Sequence, residues 1–275
     1  MNLSVVIVNW NSGFHLARLL ESLRPVRSEV ARIIVVDNAS SDGSRAVAER
    51  SFGVEVIGCA SNRGFAGGAN LGIGASKDPY ILLLNPDVRV EGDSLRGLYR
   101  EIEASSDAAL VCGRLLGEGG ESQTAFQIRA LPSLGGVLRD ALFLDELVDL
   151  WRGGVSVPEP EAGTVEQPAA ACWLLRRTAW EELGGFDERF HPAWFEDVDF
   201  CRRLRDGGWR VLYFPQWTMT HRGGISLDSL GYGEFLRVYY GNLLRYWRKH
   251  HPASLPLVWP AVRLGQMLRR AAGRR

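Results

Sequence analysis

Four times in the first 87 residues, a short aliphatic run stops at a polar turn. Residues 3–8 read Leu-Ser-Val-Val-Ile-Val and end in Asn9-Trp10-Asn11-Ser12-Gly13. Residues 32–37, Arg-Ile-Ile-Val-Val-Asp, break into Asn38-Ala-Ser-Ser-Asp-Gly-Ser44. Residues 54–57 run into a glycine-rich loop, and residues 80–84 stop at Asn85-Pro86-Asp87. Nearly continuous β-branched and aliphatic runs of this length suit parallel strands covered on both faces. Helical patterns separate them: Phe14, Leu16, Leu19, Leu20 and Leu23 precede Pro25, a second helix reaches about Ser51, and a third covers about 67–76. Strand, polar turn and helix in repetition predict a doubly wound α/β sheet, which binds ligands at the carboxyl ends of its strands.

The second half alternates less regularly. It predicts helices near 94–105, 138–150, 177–183 and 196–205, strands near 109–113, 170–176 and 210–214, and a Gly/Pro-rich loop at 153–163. At 46% apolar and 23% charged, the 275 residues exclude a disordered or fibrous chain. Thirty-two basic and 32 acidic side chains cancel, which argues against a chain-wide nucleic-acid surface. The charge-free stretch 252–262 is about half the length of a membrane span, and the N-terminal residues predict no signal peptide. Cys59, Cys112, Cys172 and Cys201 lack metal-site spacing and predict free thiols.

Neutrality hides an asymmetry. From Ser229 to Arg275, nine Lys or Arg residues face one acid, Glu234. Tyr246, Trp247 and Trp259 are interleaved with them, and Leu257, Val258, Val262, Leu264, Met267 and Leu268 can share one side of a helix after Pro256 or Pro260. A basic amphipathic segment with tryptophan predicts contact with an anionic membrane surface. The alternative is a helix packed on the domain with a solvated basic face.

Each polar cluster at a strand end is explained by turn chemistry when taken alone. Together, on one rim, they describe a crevice able to hold a nucleotide. Asp87 projects after a proline and, with a diphosphate, could hold Mg²⁺ or Mn²⁺; otherwise it closes an Asx turn. In Asn62-Arg63-Gly64-Phe65-Ala66-Gly67-Gly68-Ala69-Asn70, close glycines let backbone amides approach a phosphate or sugar, and the following helix offers its N-terminus. A plain tight loop is the alternative. Glu196, Asp197 and Asp199 begin a helix whose macrodipole favours their ionised forms. Beside the aromatic turns at Gly184–Asp187 and Phe190–Pro192, one of them could serve as general base for a hydroxyl; helix capping is the simpler reading. His221 is either a metal or phosphate contact or a structural histidine.

The segments Ser4–Asn11, Val36–Ser44, Asn62–Asn70, Leu84–Asp87, Gly184–Asp187 and Glu196–Asp199, with His221, stand in an order that resembles family 2 glycosyltransferases, above all their rhamnosyltransferase-type branch, over about residues 2–226. The resemblance implies a GT-A fold, an α/β Rossmann-like mixed sheet with flanking helices. It would occupy 1–228, with a nucleotide-sugar-binding half at 1–113, an acceptor-binding half at 114–228, and a basic helical extension at 229–275. It further implies an inverting, non-processive transfer of one sugar, best L-rhamnose from dTDP-L-rhamnose, to a hydroxyl of a lipid-linked or polysaccharide acceptor in cell-envelope glycan synthesis. UDP-galactofuranose, UDP-N-acetylglucosamine and UDP-glucose are alternative donors.

Carried over by position, Asn9, Asn11, Asp37, Asn62, Arg63, Gly64, Asn70, Asn85 and Asp87 would lie along the donor. Asp87 and His221 would hold the divalent metal, Mg²⁺ or Mn²⁺. Asp197 would be the general base, supported by Glu196 and Asp199, and Trp173 and Trp194 would stack on acceptor sugars unless they simply pack in the core. Asn85 stands where the family's DXD element has its first carboxylate, which weakens the metal site, and the absence of a QxxRW element disfavours a processive synthase. The expected location is cytoplasmic, peripheral on the inner face of a bacterial membrane, with no nucleic-acid partner and a homodimer left open. Two other classes compete: a sugar-nucleotidyltransferase, which would want its glycine-rich loop after the first strand, and a catalytically silent sugar-nucleotide-binding module. The glycosyltransferase reading makes one spatial demand, that residues 87 and 197 share a pocket.

Overall fold

The computed structural model describes residues 1–142, 159–223 and 231–272. Strand β1 (Leu3–Asn9) is buried along its whole length, as its uninterrupted apolar run requires. Helix α1 (Gly13–Ser22) turns Leu16, Leu19 and Leu20 inward. Then follow β2 (Arg32–Asp37), α2 (Ser44–Glu49), β3 (Val54–Gly58), α3 (Gly64–Gly74) and β4 (Tyr80–Leu84). β1 pairs in parallel with β2 and β4, and β2 with β3. The register sets Asn9 beside Asp37 and Asp37 beside Gly58, so the predicted polar turns emerge from one edge.

The second half supplies β5 (Val88–Arg89), α4 (Gly92–Ala104), β6 (Ala108–Leu116), α5 (Thr124–Gln127), β7 (Ile128–Arg129) and α6 (Leu134–Ala141). After the undescribed stretch come β8 (Gly163–Thr164), β9 (Gln167–Pro168), β10 (Cys172–Arg176), α7 (Arg177–Glu182), α8 (Glu196–Asp206) and β11 (Arg210–His221). Two helices end the described chain, α9 (Tyr232–His250) and α10 (Leu255–Ala272). The main sheet runs β3-β2-β1-β4-β10-β6-β11-β5, with β8 beside β11, while β7 and β9 form a separate pair.

The doubly wound expectation holds for β1–β4, and beyond them the sheet is mixed, as the family resemblance implies. β10 lies antiparallel between β4 and β6, and β5 is antiparallel to β11, so the sheet is mixed. Direction was illegible because a strand buried on both faces carries the same apolar run either way. β11 also outruns its predicted end: a register shift between Phe214 and Thr218 carries the strand past Pro215 as far as His221. Helix α6 begins at Leu134 and ends at Ala141, earlier than the predicted 138–150 helix; positions 143–150 of that helix and 153–158 of the predicted loop lie outside the described residues.

Side chains alternate across the sheet into two cores. Val5, Ile7, Leu82 and Leu174 join the core beneath α1 and α4. Val6, Leu83, Trp173 and Leu175 join the opposite core, which also holds Tyr240, Leu243, Tyr246 and Trp247 of α9 and Val258 and Val262 of α10. The basic C-terminal segment is thus built into the domain rather than appended to it. All four cysteines are free, and burial pushes the Cys172 thiol up to about 12. Among the described residues, no helix is long and apolar enough to cross a membrane.

Candidate active site

At the carboxyl ends of β1–β4 opens a cavity of about 280 Å³, lined from one side by Trp10, Asn38, Asn62, Asn85 and Asp87 and from the other by Trp194, Glu196 and Asp197. Residues 87 and 197, distant along the chain, meet in one pocket.

Asp87 leaves β4 through the Asn85-Pro86 turn, where the Asn85 amide donates to the Ala171 carbonyl at 2.9 Å. One Asp87 oxygen accepts from the Gly223 amide at 3.1 Å and faces His221 Nε2 at 3.4 Å. His221 comes to it from β11, through the pairing of Val88 with His221. Gln123 Nε2 is committed to the His221 carbonyl at 2.8 Å, so its Oε1 accepts from His221 Nδ1 at 2.7 Å. Burial depresses the imidazole pKa, against the opposing pull of Asp87, and favours the neutral ring. That tautomer turns the Nε2 lone pair toward the Asp87 carboxylate. Two electron-rich atoms facing one another, one oriented by an outer hydrogen bond, are a donor set that fits a divalent cation. Among the described residues no group of three or more metal-ligating side chains forms, so a cation held here would draw its remaining ligands from a bound diphosphate or water.

Across the cavity, Trp194 and Phe195 both have positive φ, 69° and 75°, a costly conformation for aromatic residues. Asn242 of α9 holds them there: its Nδ2 donates to the carbonyls of Ala193 at 2.8 Å and Trp194 at 3.1 Å. The strained turn launches α8 with Glu196 and Asp197 buried in its first turn. Asp197 accepts from the Val198 amide at 2.8 Å and from Gln167 Nε2 at 3.0 Å, and Arg129 lies 3.6 Å away. Glu196 Oε2 has no hydrogen-bond partner among the described residues.

The macrodipole expectation is overturned for this pair. Burial raises the Asp197 pKa despite Arg129 and the backbone donors, and burial together with the neighbouring Asp197 charge raises that of Glu196 well above its ordinary range. Asp199 behaves oppositely. Its burial is outweighed by His250 at 2.7 Å, Arg203 at 2.7 Å and Lys249 at 2.7 Å, which hold the carboxyl below the usual range. It faces α9, not the cavity, and anchors α8 from behind.

The other predicted site residues divide. Asn62, Asn85 and Trp194 line the cavity with Asp87 and Asp197. Asn9 is buried and donates to Asp37 at 3.0 Å and Ser44 at 2.8 Å, so the two rim residues Asn9 and Asp37 are closed on one another. Asn11 accepts from the Ser41 amide at 2.7 Å on the outer rim. Arg63 pairs with Glu188 at 3.3 Å. Asn70 exchanges hydrogen bonds of 2.8 Å with Phe186 and so ties α3 to the Gly184–Asp187 turn.

One reading requires correction. Trp173 does not stack on a ligand: it is 0% exposed in the middle of β10, against Phe186 and Phe200, because its neighbours in the sheet are covered on both faces. The glycine-rich loop and α3 are closely packed. A Cβ at Gly64 (φ +74°) would meet the Pro192 carbonyl at 2.8 Å, and one at Gly72, further along α3, would meet Val6 at 2.5 Å. The Phe65 amide, in the first turn of α3, donates to that same Pro192 carbonyl at 2.8 Å.

Phe126 and Arg129, which line the cavity, escaped sequence reasoning, as did Gln167, which holds Asp197 without lining the cavity itself. Phe126 stacks on His221 at 6.2 Å and carries the Arg129 guanidinium over its ring at 5.7 Å. Their segment has no periodic pattern; only the basic residue among apolar ones in Phe126-Gln127-Ile128-Arg129 offered a signal.

The sequence model described as glycosyl transferase family 2 matches residues 4–158. A low-salt glycan biosynthesis hexosyltransferase of Haloferax volcanii is 27% identical over 208 residues, 74% of this chain and 62% of its own length. The N-acetylglucosaminyl-diphospho-decaprenol L-rhamnosyltransferase of Mycobacterium tuberculosis is 29% identical over 241 residues, 82% of this chain and 77% of its own. Among solved structures, the Pyrobaculum calidifontis mannosyltransferase, in complex with GDP-Man and Mn²⁺, superposes with a TM-score of 0.61 at 15% identity, covering 100% of this chain and 76% of that one. The last likeness shows a shared GT-A fold.

Proposed function

The chain belongs to glycosyl transferase family 2, and from that premise we propose an inverting, non-processive transfer of a single sugar from a nucleoside diphosphate to an acceptor hydroxyl. The observation that carries this reading is the shared cavity, with Asp87 and His221 at one wall and the buried Glu196–Asp197 pair at the other. In the proposed mechanism the donor lies along the strand ends, its diphosphate toward Asp87 and its anomeric carbon toward Asp197. Asn62 and Asn85 hydrogen-bond the donor from the floor, while the closed Asn9–Asp37 pair, with Asn11, Arg63, Gly64 and Asn70, shapes the rim behind it.

The acceptor hydroxyl approaches over Trp194. Glu196, which lines the pocket, orients it by hydrogen bonding. Asp197 takes the hydroxyl proton as the oxygen attacks the anomeric carbon, and the bond from that carbon to the diphosphate breaks on the opposite face. The nucleoside diphosphate leaves with the electron pair, so the configuration inverts. A divalent cation held by Asp87 and His221 would supply charge stabilisation to the departing diphosphate. Arg129, beside Asp197, limits how far burial raises the pKa of the base.

L-Rhamnose from dTDP-L-rhamnose is the proposed donor, and a lipid-linked glycan of the cell envelope the acceptor, in line with the rhamnosyl and hexosyl transfer named for the two relatives. The protein would then work peripherally at the membrane that carries this acceptor. Thermal stabilisation by a panel of dTDP- and UDP-sugars, each with and without Mg²⁺ or Mn²⁺, identifies the donor. Asp197→Asn should lower kcat by about 10²-fold or more while donor stabilisation persists. Near-normal turnover in that variant would remove Asp197 from its role.

A further inference from the structure

Ten large apolar side chains are exposed among the described residues, and five of them belong to one helix, α10: Leu257, Trp259, Leu264, Met267 and Leu268, between 45% and 61% exposed. Their spacing explains the concentration. At 3.6 residues per turn, Val258, Val262, Gly265 and Gln266 fall on one face and are buried against the domain. Leu257, Leu264, Met267 and Leu268 fall on the opposite face, with Trp259, Arg263 and Arg270 along its margin. The sequence posed packing and membrane contact as alternatives for this segment. The helix is two-sided, so packing with one face leaves the other free for such contact.

We propose that the outward face of α10 docks the enzyme on an anionic lipid bilayer, with the helix lying in the plane of the interface. Isolated exposed apolar residues need no explanation, but a continuous stripe on an otherwise polar surface does. Charge selects the occupant. α10 contains no acid, and Arg263 and Arg270 are exposed on it, as are Arg245 and Arg248 on the adjoining α9. The nine basic residues and one acid from 229 onward leave the rest of a neutral chain correspondingly negative. An anionic surface therefore attracts this end and repels the remainder, which orients the molecule as well as holding it. The Arg263 guanidinium lies 5.7 Å over the Trp259 ring, an arrangement that puts an amphipathic ring and a cation together at headgroup level. This deepens the proposed function, and rests on it for what the membrane presents, a lipid-linked acceptor.

The test is flotation of the full chain with vesicles of phosphatidylglycerol and phosphatidylcholine in equal parts, against phosphatidylcholine alone, at low and high salt. Binding to the anionic vesicles that weakens with salt is expected. Leu264→Glu with Met267→Glu should weaken it by about tenfold or more, because two charges then enter the buried stripe. Both side chains are exposed, so the double variant should keep the wild-type melting temperature and donor binding. Trp259→Phe should reduce fluorescence quenching by brominated lipid. Equal vesicle binding by wild type and double variant overturns the proposal, as does a wild-type dimer that the double variant splits into monomers, since the face would then belong to a second copy. Vesicle binding needs neither donor nor acceptor. Its failure leaves the transferase reading intact, and failure of donor binding leaves the docking face intact.

Discussion

At the scale of single residues, the cavity turns on how one buried carboxyl is kept usable. Burial raises the Asp197 pKa, and Arg129 at 3.6 Å is the largest force in the other direction. A base with a raised pKa loses activity as the pH falls through that value, because the protonated form cannot accept the hydroxyl proton. Removing Arg129 takes away a charge that favours the carboxylate, so Arg129→Gln should move the acid limb of the kcat/KM profile to higher pH. The measurement is a pH–rate profile at saturating metal, and an unmoved acid limb would dissociate Arg129 from the base. Glu196 complements this arrangement, since a carboxyl pushed far up is poised to donate as well as accept hydrogen bonds.

At the scale of elements, α9 is the part whose importance its sequence least announces. Its Asn242 is buried and holds the Ala193 and Trp194 carbonyls at the strained Trp194-Phe195 turn, while Arg245 donates in turn to the Asn242 side-chain oxygen. Losing the amide leaves both carbonyls short of a donor and lets the turn relax toward ordinary φ, at a cost of about 1–3 kcal/mol. Asn242→Ala should therefore lower kcat by roughly tenfold with little change in the KM for donor, since α8 is displaced but the strand-end rim is not. Single-turnover kinetics on the purified variant distinguish this from simple instability. An equal rise in donor KM would place the defect in the rim instead. The same logic argues against truncating α10: its Val258 and Val262 are fully buried, and each contributes roughly 1.5–3 kcal/mol by burial.

At the scale of the whole molecule, the C-terminal helix α9 is fastened to the 187–206 segment by buried charge. Asp199 on α8 meets His250 and Lys249 of α9, and Lys249 also reaches Asp187 at 2.8 Å. Arg189 and Lys249 outweigh the burial of Asp187 and hold its carboxyl far below the ordinary range. A carboxyl whose pKa is depressed by folding contributes stability above its unfolded value, about pH 4, and loses that contribution as the pH falls further. Stability should thus decline below about pH 4, and Asp199→Asn should flatten that decline. The variant leaves Lys249 and Arg203 without their shared partner and should cost about 3 kcal/mol at neutral pH, read by urea denaturation. An unaltered acid slope in the variant would trace the decline to other groups. Local patterns settled a good deal without coordinates: four apolar runs with polar ends make β1–β4, their helices and the rim at Asn62, Asn85 and Asp87, because strand and turn preferences act over a few residues. The Gly184–Asp187 and Glu196–Asp199 segments were likewise legible as a turn and an acidic helix start. What needed the tertiary structure was everything set by distant partners. The reversed direction of β10, the burial of Trp173, the opposite pKa shifts of Asp197 and Asp199, and the entry of Phe126, Arg129 and Asn242 into the site all depend on which surfaces the folded chain brings together. Burial and pairing belong to the environment of a residue, and the environment is assembled from segments that no local pattern relates.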